Sequence, residues 1–382
     1  MTSKILIVGA GIAGLSVAQW LTRFGLDFEI IEKRSSECIT PTGIVLPFNA
    51  VRELQDLNLF DKLTGQFFEA KTITYSKSSG RVIKTANLAE PPFENDQFIA
   101  LKQQYLDNVL VEGLRRKIRY NTEITTIEHG DDSVKVTCTN ELLNGTYDLL
   151  IAADGINSLV RQKNFEGQEI NIDHNVICWR FLIPYPEHGM QPLHMIGKTD
   201  LFMAYPISAD TLYCYGHVYQ DLNNITLGDN AQENFKKTFS DYGGPLPGIL
   251  PQVDEAEILT NRLKSVIEPC FFDRRIAFVG DASNGCSPLI QQGAATALAD
   301  SRCLADALAM QNIDQALITY QKRRRKKVER VTRYADAPLA HIQNMRSWMA
   351  RELRDLKIRT IGPPNVYAWK KLATDRQFLS RG

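Results

Sequence analysis

The chain has 382 residues, which suits two domains or one large intertwined unit. Its 44 basic residues equal its 44 acidic residues, so the charge gives no indication of a nucleic-acid partner and favours a small ligand. No secretory signal pattern, bilayer-length apolar run or metal-spaced set among the seven cysteines is present, which predicts a cytoplasmic protein with reduced thiols, no integral membrane segment and no metal.

The first predicted elements form a βαβ unit. The β-rich run KILIVGAG opens onto glycine, IAGLSVAQWLTRFG has the apolar spacing of a helix, and DFEIIEKR follows as a second strand. Such a crossover is what parallel strands require. The next stretch predicts a loop with Gly43 and Pro47 and then a helix, and AKTITYSKSSGRVIKTA predicts a hairpin.

The middle of the chain predicts further strands. TEITTIEHGDDSVKVTCT alternates as two antiparallel strands, and YDLLIAADG has the apolar pattern of a strand that is buried on both faces. From residue 171 to 269 the strands become half-buried, and residues 270–300 restore a buried strand and a glycine-rich turn. We infer that a second domain interrupts the first and that a helical tail closes the chain.

A glycine motif at the first turn predicts a dinucleotide site. Gly9 permits the tight turn, Gly11 lets the backbone approach a pyrophosphate, and Gly14 allows close packing of helix and strand. Glu32 follows the second strand, where an acid accepts hydrogen bonds from ribose hydroxyls. The alternative is a glycine-rich turn that only packs tightly.

Two later strand-to-turn segments carry acids beside glycine, namely Asp154-Gly155 and Gly280-Asp281. With the first turn, these three ordered motifs resemble the class A flavoprotein monooxygenases, the family of para-hydroxybenzoate, salicylate and quinolone hydroxylases. The stretch from Thr42 to Leu54 is similar to the family's loop over the flavin, and WRFLIP is similar to its WRxLxP strand.

The resemblance implies an α/β fold with a Rossmann-like FAD-binding domain of the para-hydroxybenzoate hydroxylase type, a mostly antiparallel β-sheet substrate domain and a helical C-terminal segment. The expected ranges are 1–70, 98–170 and 270–340 for the FAD-binding domain, 71–97 and 171–269 for the substrate domain, and 341–382 for the C-terminal helical segment.

By the same resemblance, Asp281 binds the ribityl chain of FAD, and the segment after Pro288 lies beside the flavin ring with the helix N-terminus near Gly293. Asp154, followed by Ser158 and Arg161, is associated with FAD and reductant binding, or is only a helix cap. The residues expected at FAD are Gly9, Gly11, Ala13, Gly14, Glu32, Lys33, Gln103, Asp154, Asp281, Gln292, Gly293 and Ala294.

Several residues depart from the family pattern. Asn284 replaces its histidine, and Gln291 replaces a glycine that lets the backbone approach the ring. Gln103 replaces an arginine at the start of a flavin-contacting helix, and Ala299 replaces the glutamate of its Glu-Asp pair. With these departures, the sequence still predicts FAD binding more clearly than it predicts the reaction of the flavin with oxygen.

The strand TLYCYGHVYQ supplies the expected catalytic side chains. Strand periodicity puts Tyr213, Tyr215, His217 and Tyr219 on one face, which could stack on an aromatic ring. His217, with an ordinary pKa near 6.5, could deprotonate a phenol or quinolone. We expect Tyr215, His217 and Pro288 in the catalytic site, unless this face meets solvent or another subunit.

The resemblance implies an FAD-dependent monooxygenase that uses NADH or NADPH and O2 to hydroxylate a small aromatic or heteroaromatic substrate through a flavin hydroperoxide. The alternatives are a flavin-binding protein or subunit that has lost hydroxylation and a halogenase-like oxidoreductase, since WRFLIP is near the halogenase Trp-x-Trp-x-Ile-Pro. Either a monomer or a homodimer is expected.

The C-terminal region is basic. The run from Lys322 to Lys327 predicts a solvated helix face. The last segment, with Trp348 and Trp369 among its charges, could cover an active-site edge, form a dimer contact or touch an anionic membrane. Packing on its own protein is the favoured interpretation.

Overall fold

The computed structural model describes residues 3–35, 41–186, 189–223, 225–228, 230–340 and 342–379. The strands, labelled in chain order, are β1 (Ile5–Val8), β2 (Phe28–Ile31), β3 (Gly43–Leu46), β4 (Phe67–Glu69), β5 (Thr72–Lys77), β6 (Val82–Asn87), β7 (Ile99–Lys102), β8 (Ile118–Arg119), β9 (Ile124–His129), β10 (Val134–Cys138), β11 (Gly145–Tyr147), β12 (Leu149–Ala152), β13 (Asn171–Pro184), β14 (Leu193–Ile196), β15 (Asp200–Pro206), β16 (Thr211–Tyr219), β17 (Leu259–Val266), β18 (Phe272–Asp273) and β19 (Ile276–Phe278).

The α-helices are α1 (Ile12–Arg23), α2 (Phe48–Asp56), α3 (Gln103–Val111), α4 (Leu159–Asn164), α5 (Gln220–Asn223), α6 (Ala231–Phe239), α7 (Leu246–Ile249), α8 (Asp281–Asn284), α9 (Gly293–Met310), α10 (Ile313–Ala340), α11 (Trp348–Thr360), α12 (Pro364–Thr374) and α13 (Arg376–Leu379). Short 3-10 helices include Pro288–Ile290. Within the described ranges, none of the helices has the length and apolar character needed to cross a membrane.

A six-stranded sheet carries the predicted βαβ unit. Its order is β18-β19-β12-β1-β2-β8, and all neighbours are parallel except β18 and β19. Strands β1 and β12 are buried along their whole length because helices and a small sheet cover both faces. The predictions of parallel β1 and β2, and of a buried strand at YDLLIAADG, are confirmed.

A seven-stranded sheet forms the second layer, in the order β17-β13-β16-β15-β14-β5-β6. Its neighbours are antiparallel apart from β14 and β5, and the predicted hairpin around Ser79 and Gly80 joins β5 to β6. Helix α6 packs on one face of this sheet, through Phe235 and Phe239. The other face packs against the Pro288–Ile290 3-10 helix and the C-terminal helices. The proposed domain boundaries remain a prediction.

The prediction of a loop around Gly43 was wrong, because Gly43–Leu46 is a strand. It pairs antiparallel with β7, which also pairs with β4. A Cβ on Gly43 would lie 2.4 Å from the ring of Tyr213, so only glycine allows this strand to lie against the seven-stranded sheet. The glycine that suggested a turn is instead required by close packing.

The C-terminal helices pack on the chain's own sheet and loops. Tyr75 of β5 donates its hydroxyl hydrogen to Asn365 Oδ1 at 2.9 Å, and the indole N–H of Trp369 donates to the carbonyl of Ile290 at 2.8 Å. Lys77 forms an ion pair with the buried carboxylate of Asp355. The prediction that the C-terminal segment packs on its own protein is confirmed for the side of these helices that faces the sheet.

A buried ion pair holds the turn of the third motif. Asp300 of α9 is fully buried, and one of its oxygens accepts from Arg324 Nε of α10 at 2.6 Å. The other oxygen accepts from the backbone N–H of Gly280 and from Asn284 Nδ2. Arg324 belongs to the basic run that predicted a solvated face, so for this residue the prediction was wrong.

We predict that Asp300→Asn lowers the free energy of unfolding by about 3–5 kcal/mol, because the buried guanidinium of Arg324 loses its compensating charge. Urea unfolding followed by circular dichroism measures the change. The matched control is Glu128→Gln in the exposed pair with Lys135, which should cost less than about 1 kcal/mol. Equal effects of the two substitutions would contradict a structural role for the Asp300 pair.

Candidate active site

The first glycine turn has the geometry that its spacing predicts. Gly9 has a φ of +105°, and a Cβ there would lie 2.5 Å from the carbonyl oxygen of Ala153. A Cβ on Gly14 would lie 1.9 Å from the carbonyl oxygen of Gly9, whereas one on Gly11 would meet no atom within 4 Å. Two glycines therefore serve close packing, and the third leaves open space at the N-terminus of α1, where a phosphate can approach.

A cleft of about 280 Å³ opens beside this turn, and Lys33 is among its lining residues. Glu32 lies at its floor, where its carboxylate accepts from the backbone N–H of Ala10 at 2.7 Å and pairs with Arg34 Nε at 3.0 Å. These hydrogen bonds hold the pKa of Glu32 below its usual value although burial opposes them. The carboxylate is therefore charged and fixed at the end of β2.

The second motif contributes a buried carboxylate to the same cleft. Asp154 Oδ2 accepts from the backbone N–H of Val160 at 3.1 Å, but Oδ1 is buried and has no partner among the described residues. Burial raises the pKa of Asp154. The cap of α4 is Ser158, whose hydroxyl accepts from the N–H of Arg161. An unpartnered oxygen in the cleft is what a ligand donor would satisfy.

Arg161 joins the second motif to the third. Its guanidinium donates to the carbonyl oxygens of Ala282 and Ser283, at 3.0 and 2.9 Å, and to that of Glu268. The side chain is buried and holds the backbone beside Asp281 in place. This arrangement gives Arg161 a structural role, and it places no part of the guanidinium against the cleft.

The Gly280-Asp281 turn brings the head of α9 to the glycine turn. Gly280 has a φ of +58°, and a Cβ there would lie 2.9 Å from that of Ala13. The carboxylate of Asp281 is exposed and lies near Gly293, at the N-terminus of α9. Partial desolvation by the surrounding protein raises the pKa of Asp281, and the positive charge of Arg180 on β13 opposes the shift. Ala294 of α9 packs against the core of the first layer.

The loop before α9 presents Gln291 to the seven-stranded sheet. Pro288 begins the 3-10 helix, and Gln291 follows it with a left-handed backbone, at φ +51°. Its Nε2 lies 3.9 Å from Met203 Sδ of β15, and its buried Oε1 has no partner among the described residues. Gln292 instead forms a reciprocal pair of amide hydrogen bonds with Asn49.

Gln103 begins α3, where the family has an arginine. Its backbone N–H donates to the carbonyl of Thr42, and its side chain hydrogen-bonds Asp107. Burial raises the pKa of Asp107 to about 6, although Arg34 opposes the shift. The positive charge absent at residue 103 is therefore present nearby, on Arg34 at the edge of the cleft.

The aromatic face of β16 is turned inward. Tyr213, Tyr215 and Tyr219 belong to a buried cluster with residues of the 3-10 helix and α12, while Leu212 and Cys214 face α6. Tyr215 and His217 are in contact, since the tyrosine hydroxyl lies 3.1 Å from His217 Nδ1. The alternative in which this face meets solvent or another subunit is wrong, because these side chains are buried.

A second cavity, of about 150 Å³, lies between this sheet face and the C-terminal helices. Leu289, next to Pro288, is one of its lining residues, whereas Pro288 and Tyr215 are not. The residues that line it are Tyr75, His194, Ile196, Gly197, Lys198, Asp200, Leu201, Met203, His217, Leu289, Pro338, Leu339, Met345, Arg354, Ile358, Pro364 and Asn365. It is thus a mostly apolar space with a few polar groups, a typical small-molecule site.

The two histidines of this cavity are neutral at physiological pH. Burial lowers the pKa of His194 to about 3 and that of His217 to about 4. His194 Nε2 lies 2.8 Å from the hydroxyl of Tyr205, and the rings of His194 and Tyr75 are 4.8 Å apart. His217 is therefore a weaker base than its ordinary pKa near 6.5 had suggested.

Sequence reasoning missed His194, Asn365 and Arg180. The Nδ2 of Asn365 is buried without a partner among the described residues, and Asn365 reaches the cavity only because α12 folds back onto the sheet. The buried Nε of Arg180 also lacks a partner in this part of the chain. Strand alternation in PLHMIG could have assigned His194 a face, but no local signal places Asn365 there.

A glycine turn with an acid after the next strand, a Gly-Asp turn at the head of a long helix and an aromatic cavity beside it define a flavoprotein oxidoreductase. Residues 2–335 match the family model described as "FAD binding domain", so the chain belongs to that family, and FAD is its cofactor. The resemblance to class A FAD-dependent monooxygenases is thereby confirmed.

Individual relatives extend the similarity over most of the chain. The 2-heptyl-3-hydroxy-4(1H)-quinolone synthase of Pseudomonas aeruginosa (strain UCBPP-PA14) is 27% identical over 334 residues, which cover 85% of this chain and 86% of that protein. A flavin-dependent monooxygenase of Legionella longbeachae is 28% identical and covers 81% of each. The crystal structure of Klebsiella pneumoniae HpxO with FAD and uric acid shares the fold, with a TM-score of 0.83, 22% identity and 97% of each chain covered.

We predict that alanine at one glycine of the first turn affects FAD binding and that alanine at another affects stability. Gly11→Ala should leave the cofactor-free protein as stable as before but weaken FAD binding by about ten-fold or more, because the new methyl group would occupy the open space where we expect the pyrophosphate. Gly14→Ala should lower the melting temperature of the cofactor-free protein by several degrees, since its Cβ would overlap the Gly9 carbonyl.

Thermal melts of the cofactor-free protein and FAD titrations followed by flavin fluorescence separate the two effects. Undiminished FAD affinity in Gly11→Ala would show that the pyrophosphate does not lie at this turn.

Proposed function

We propose that the protein is an NAD(P)H-dependent FAD monooxygenase that hydroxylates a small, uncharged aromatic or heteroaromatic compound in the 150 Å³ cavity. The observation that carries this proposal is the position of the cavity. Its lining includes Leu289, in the loop that leads to Gln292 and Gly293, the residues expected at the cofactor, and it includes Tyr75, His194 and His217 of the seven-stranded sheet.

The lining favours a neutral ligand. Its inner polar groups are the phenol of Tyr75, the neutral imidazoles of His194 and His217 and the amide of Asn365. The charged members of the lining are Lys198, Asp200 and Arg354. Among these, Lys198 is exposed, Asp200 is bound by Tyr242, and Arg354 donates to the carbonyl of Gly197 and pairs with Asp355.

FAD in this site supplies the redox chemistry, in which reducing equivalents from NADH or NADPH and one atom of O2 are used for hydroxylation. The chain's own residues would bind FAD and hold it in position. Glu32 would accept from the adenosine ribose, the turn at Gly11 would hold the pyrophosphate, and Asp281 would accept from the ribityl chain. The N-terminus of α9 at Gly293 would stabilise negative charge on the reduced ring.

Residues of the cavity lining would orient the substrate and remove water from around it. His217 Nε2 would hydrogen-bond a ring heteroatom or hydroxyl, with its tautomer set by the Tyr215 hydroxyl at Nδ1. The unpartnered Nδ2 of Asn365, which lines the cavity, offers a donor. The helices α10 to α12 contribute Leu339, Ile358 and Asn365 to the lining and would limit the access of water to a bound substrate.

The relatives support the heteroaromatic part of this proposal. The similar Pseudomonas protein is named for a quinolone product, and the HpxO structure contains uric acid, both of them heteroaromatic ring systems. Two of the departures that motivated a non-hydroxylating protein have structural explanations. Asn284 hydrogen-bonds Asp300, and Gln103 hydrogen-bonds Asp107.

The decisive experiment mixes the FAD-loaded protein with NADPH or NADH without oxygen and follows flavin bleaching by stopped flow. Neutral 4-quinolones, hydroxypyridines and phenols are each compared with a carboxylated counterpart. We expect a neutral ligand to accelerate reduction by about ten-fold or more over its carboxylated counterpart, and a product one oxygen atom heavier in air. A yellow protein that no ligand accelerates would support the non-hydroxylating alternative, and a preference for carboxylates would overturn the neutral substrate.

We predict that His217→Leu lowers kcat/KM by about 10- to 100-fold, because a buried hydrogen-bond partner of the substrate is lost. His129→Leu is the matched control, since His129 lies at the end of β9 in another sheet, and it should keep full activity.

The pH dependence tests the protonation state of His217. Because its pKa is lowered to about 4, it gains a proton only when the pH falls well below 6, so the profile of kcat/KM should have no histidine inflection near 6.5. Steady-state rates between pH 5.5 and 8 measure this. An inflection near 6.5 that disappears in His217→Leu would contradict a neutral His217.

A further inference from the structure

Helix α11 is apolar on the side that faces solvent. Met349, Leu353 and Leu356 are 65%, 53% and 52% exposed, and their spacing of four and three residues aligns them along one side of the helix. Trp348 and Ile361, 67% and 63% exposed, lie at its two ends. We call these five residues the outer stripe. Several exposed apolar side chains on one side of a helix, as with Met349, Leu353 and Leu356, mark a candidate interaction site.

The opposite side of the same helix is already occupied. Ile358 and Asp355 are buried, and Arg354 donates to the carbonyl of Gly197. Ile358 and Arg354 also line the cavity proposed for the substrate. Packing on the chain's own protein therefore accounts for the inner side of α11 and leaves the outer stripe without a described partner.

Positive charges surround the outer stripe. Lys357 and Arg359 flank it on α11, and Arg346 precedes the helix, all three exposed and without an ion pair to the described residues. The neighbouring hairpin adds the exposed Arg81, and Val82 beside it is 56% exposed. The exposed acid on α11 is Glu352, which is paired with Lys77.

We propose that the outer stripe docks on the surface of an anionic lipid bilayer, with α11 lying in the plane of the interface. Leucine, methionine and tryptophan side chains on a helix flanked by lysine and arginine are the features that such helices share. Anionic headgroups would complement the flanking cations. A second copy of the chain, related by a two-fold axis, would bring this positively charged surface against its own copy.

The helix lies outside the part of the chain that the family model covers, which ends at residue 335. Docking is therefore a property of the tail, and it goes beyond the proposed oxidation chemistry. It also puts α11 between the bilayer and the cavity, because the two sides of one helix face them.

The test is flotation of the FAD-loaded protein with vesicles of phosphatidylcholine alone or with added phosphatidylglycerol. We expect binding to the anionic vesicles that weakens with salt. Leu353→Glu and Leu356→Glu should each reduce the partition coefficient by about ten-fold or more, since each removes one buried leucine from the interface.

Leu142→Glu is the matched control, because Leu142 is 93% exposed on a 3-10 helix elsewhere, and it should bind as the unaltered protein does. The double variant K357E/R359E should lose the preference for anionic lipid. Melting temperature and bound flavin verify that each variant is folded.

Two results would overturn the proposal. One is no flotation of the unaltered protein with anionic vesicles at low salt. The other is a dimer, measured by light scattering, that Leu356→Glu dissociates while vesicle binding is unchanged, which would assign the outer stripe to a second copy. Neither readout requires oxidation of a substrate, so failure of the proposed function would leave this test intact.

Discussion

The buried pair of Asp300 and Arg324 is the interaction on which the cofactor site depends. A carboxylate without exposed surface is tolerable only with a positive partner and further donors, and here the donors are the Gly280 N–H and the Asn284 amide. Those donors belong to the turn that presents Asp281. The buried carboxylate of Asp300 thus orients the backbone of the Gly280-Asp281 turn. This turn meets the first glycine turn where Gly280 lies close to Ala13.

Local chemistry explains what could be predicted from the sequence. The turn from Gly9 to Gly14 can be predicted because tight backbone packing admits only glycine, and the buried strands can be predicted because both faces must be apolar. The alternation along β16 also follows from a period of two. This period separates Tyr213, Tyr215 and Tyr219 from Leu212, Cys214 and Val218, as the two faces of the strand do, but it does not indicate which face meets the cavity.

Tertiary contacts explain what could not be predicted. Gly43 appeared to mark a turn, but the ring of Tyr213, far along the chain, requires glycine in a strand there. Arg324 appeared solvated among its basic neighbours, but Asp300 lies opposite it on another helix. Asn365 has no local motif, and the hydrogen bond from Tyr75 is what places it at the cavity. None of these partners is near in sequence.

The walls of the cavity come from separable parts of the chain. Asn365 and Ile358 lie in helices beyond residue 335, whereas the turns at Gly11 and Asp281 lie within the region that defines the family. Under the proposed function, substitutions in the tail would change which molecules fit while leaving in place the turns expected to hold FAD. The lining of the cavity and the cofactor turns could then vary independently in sequence.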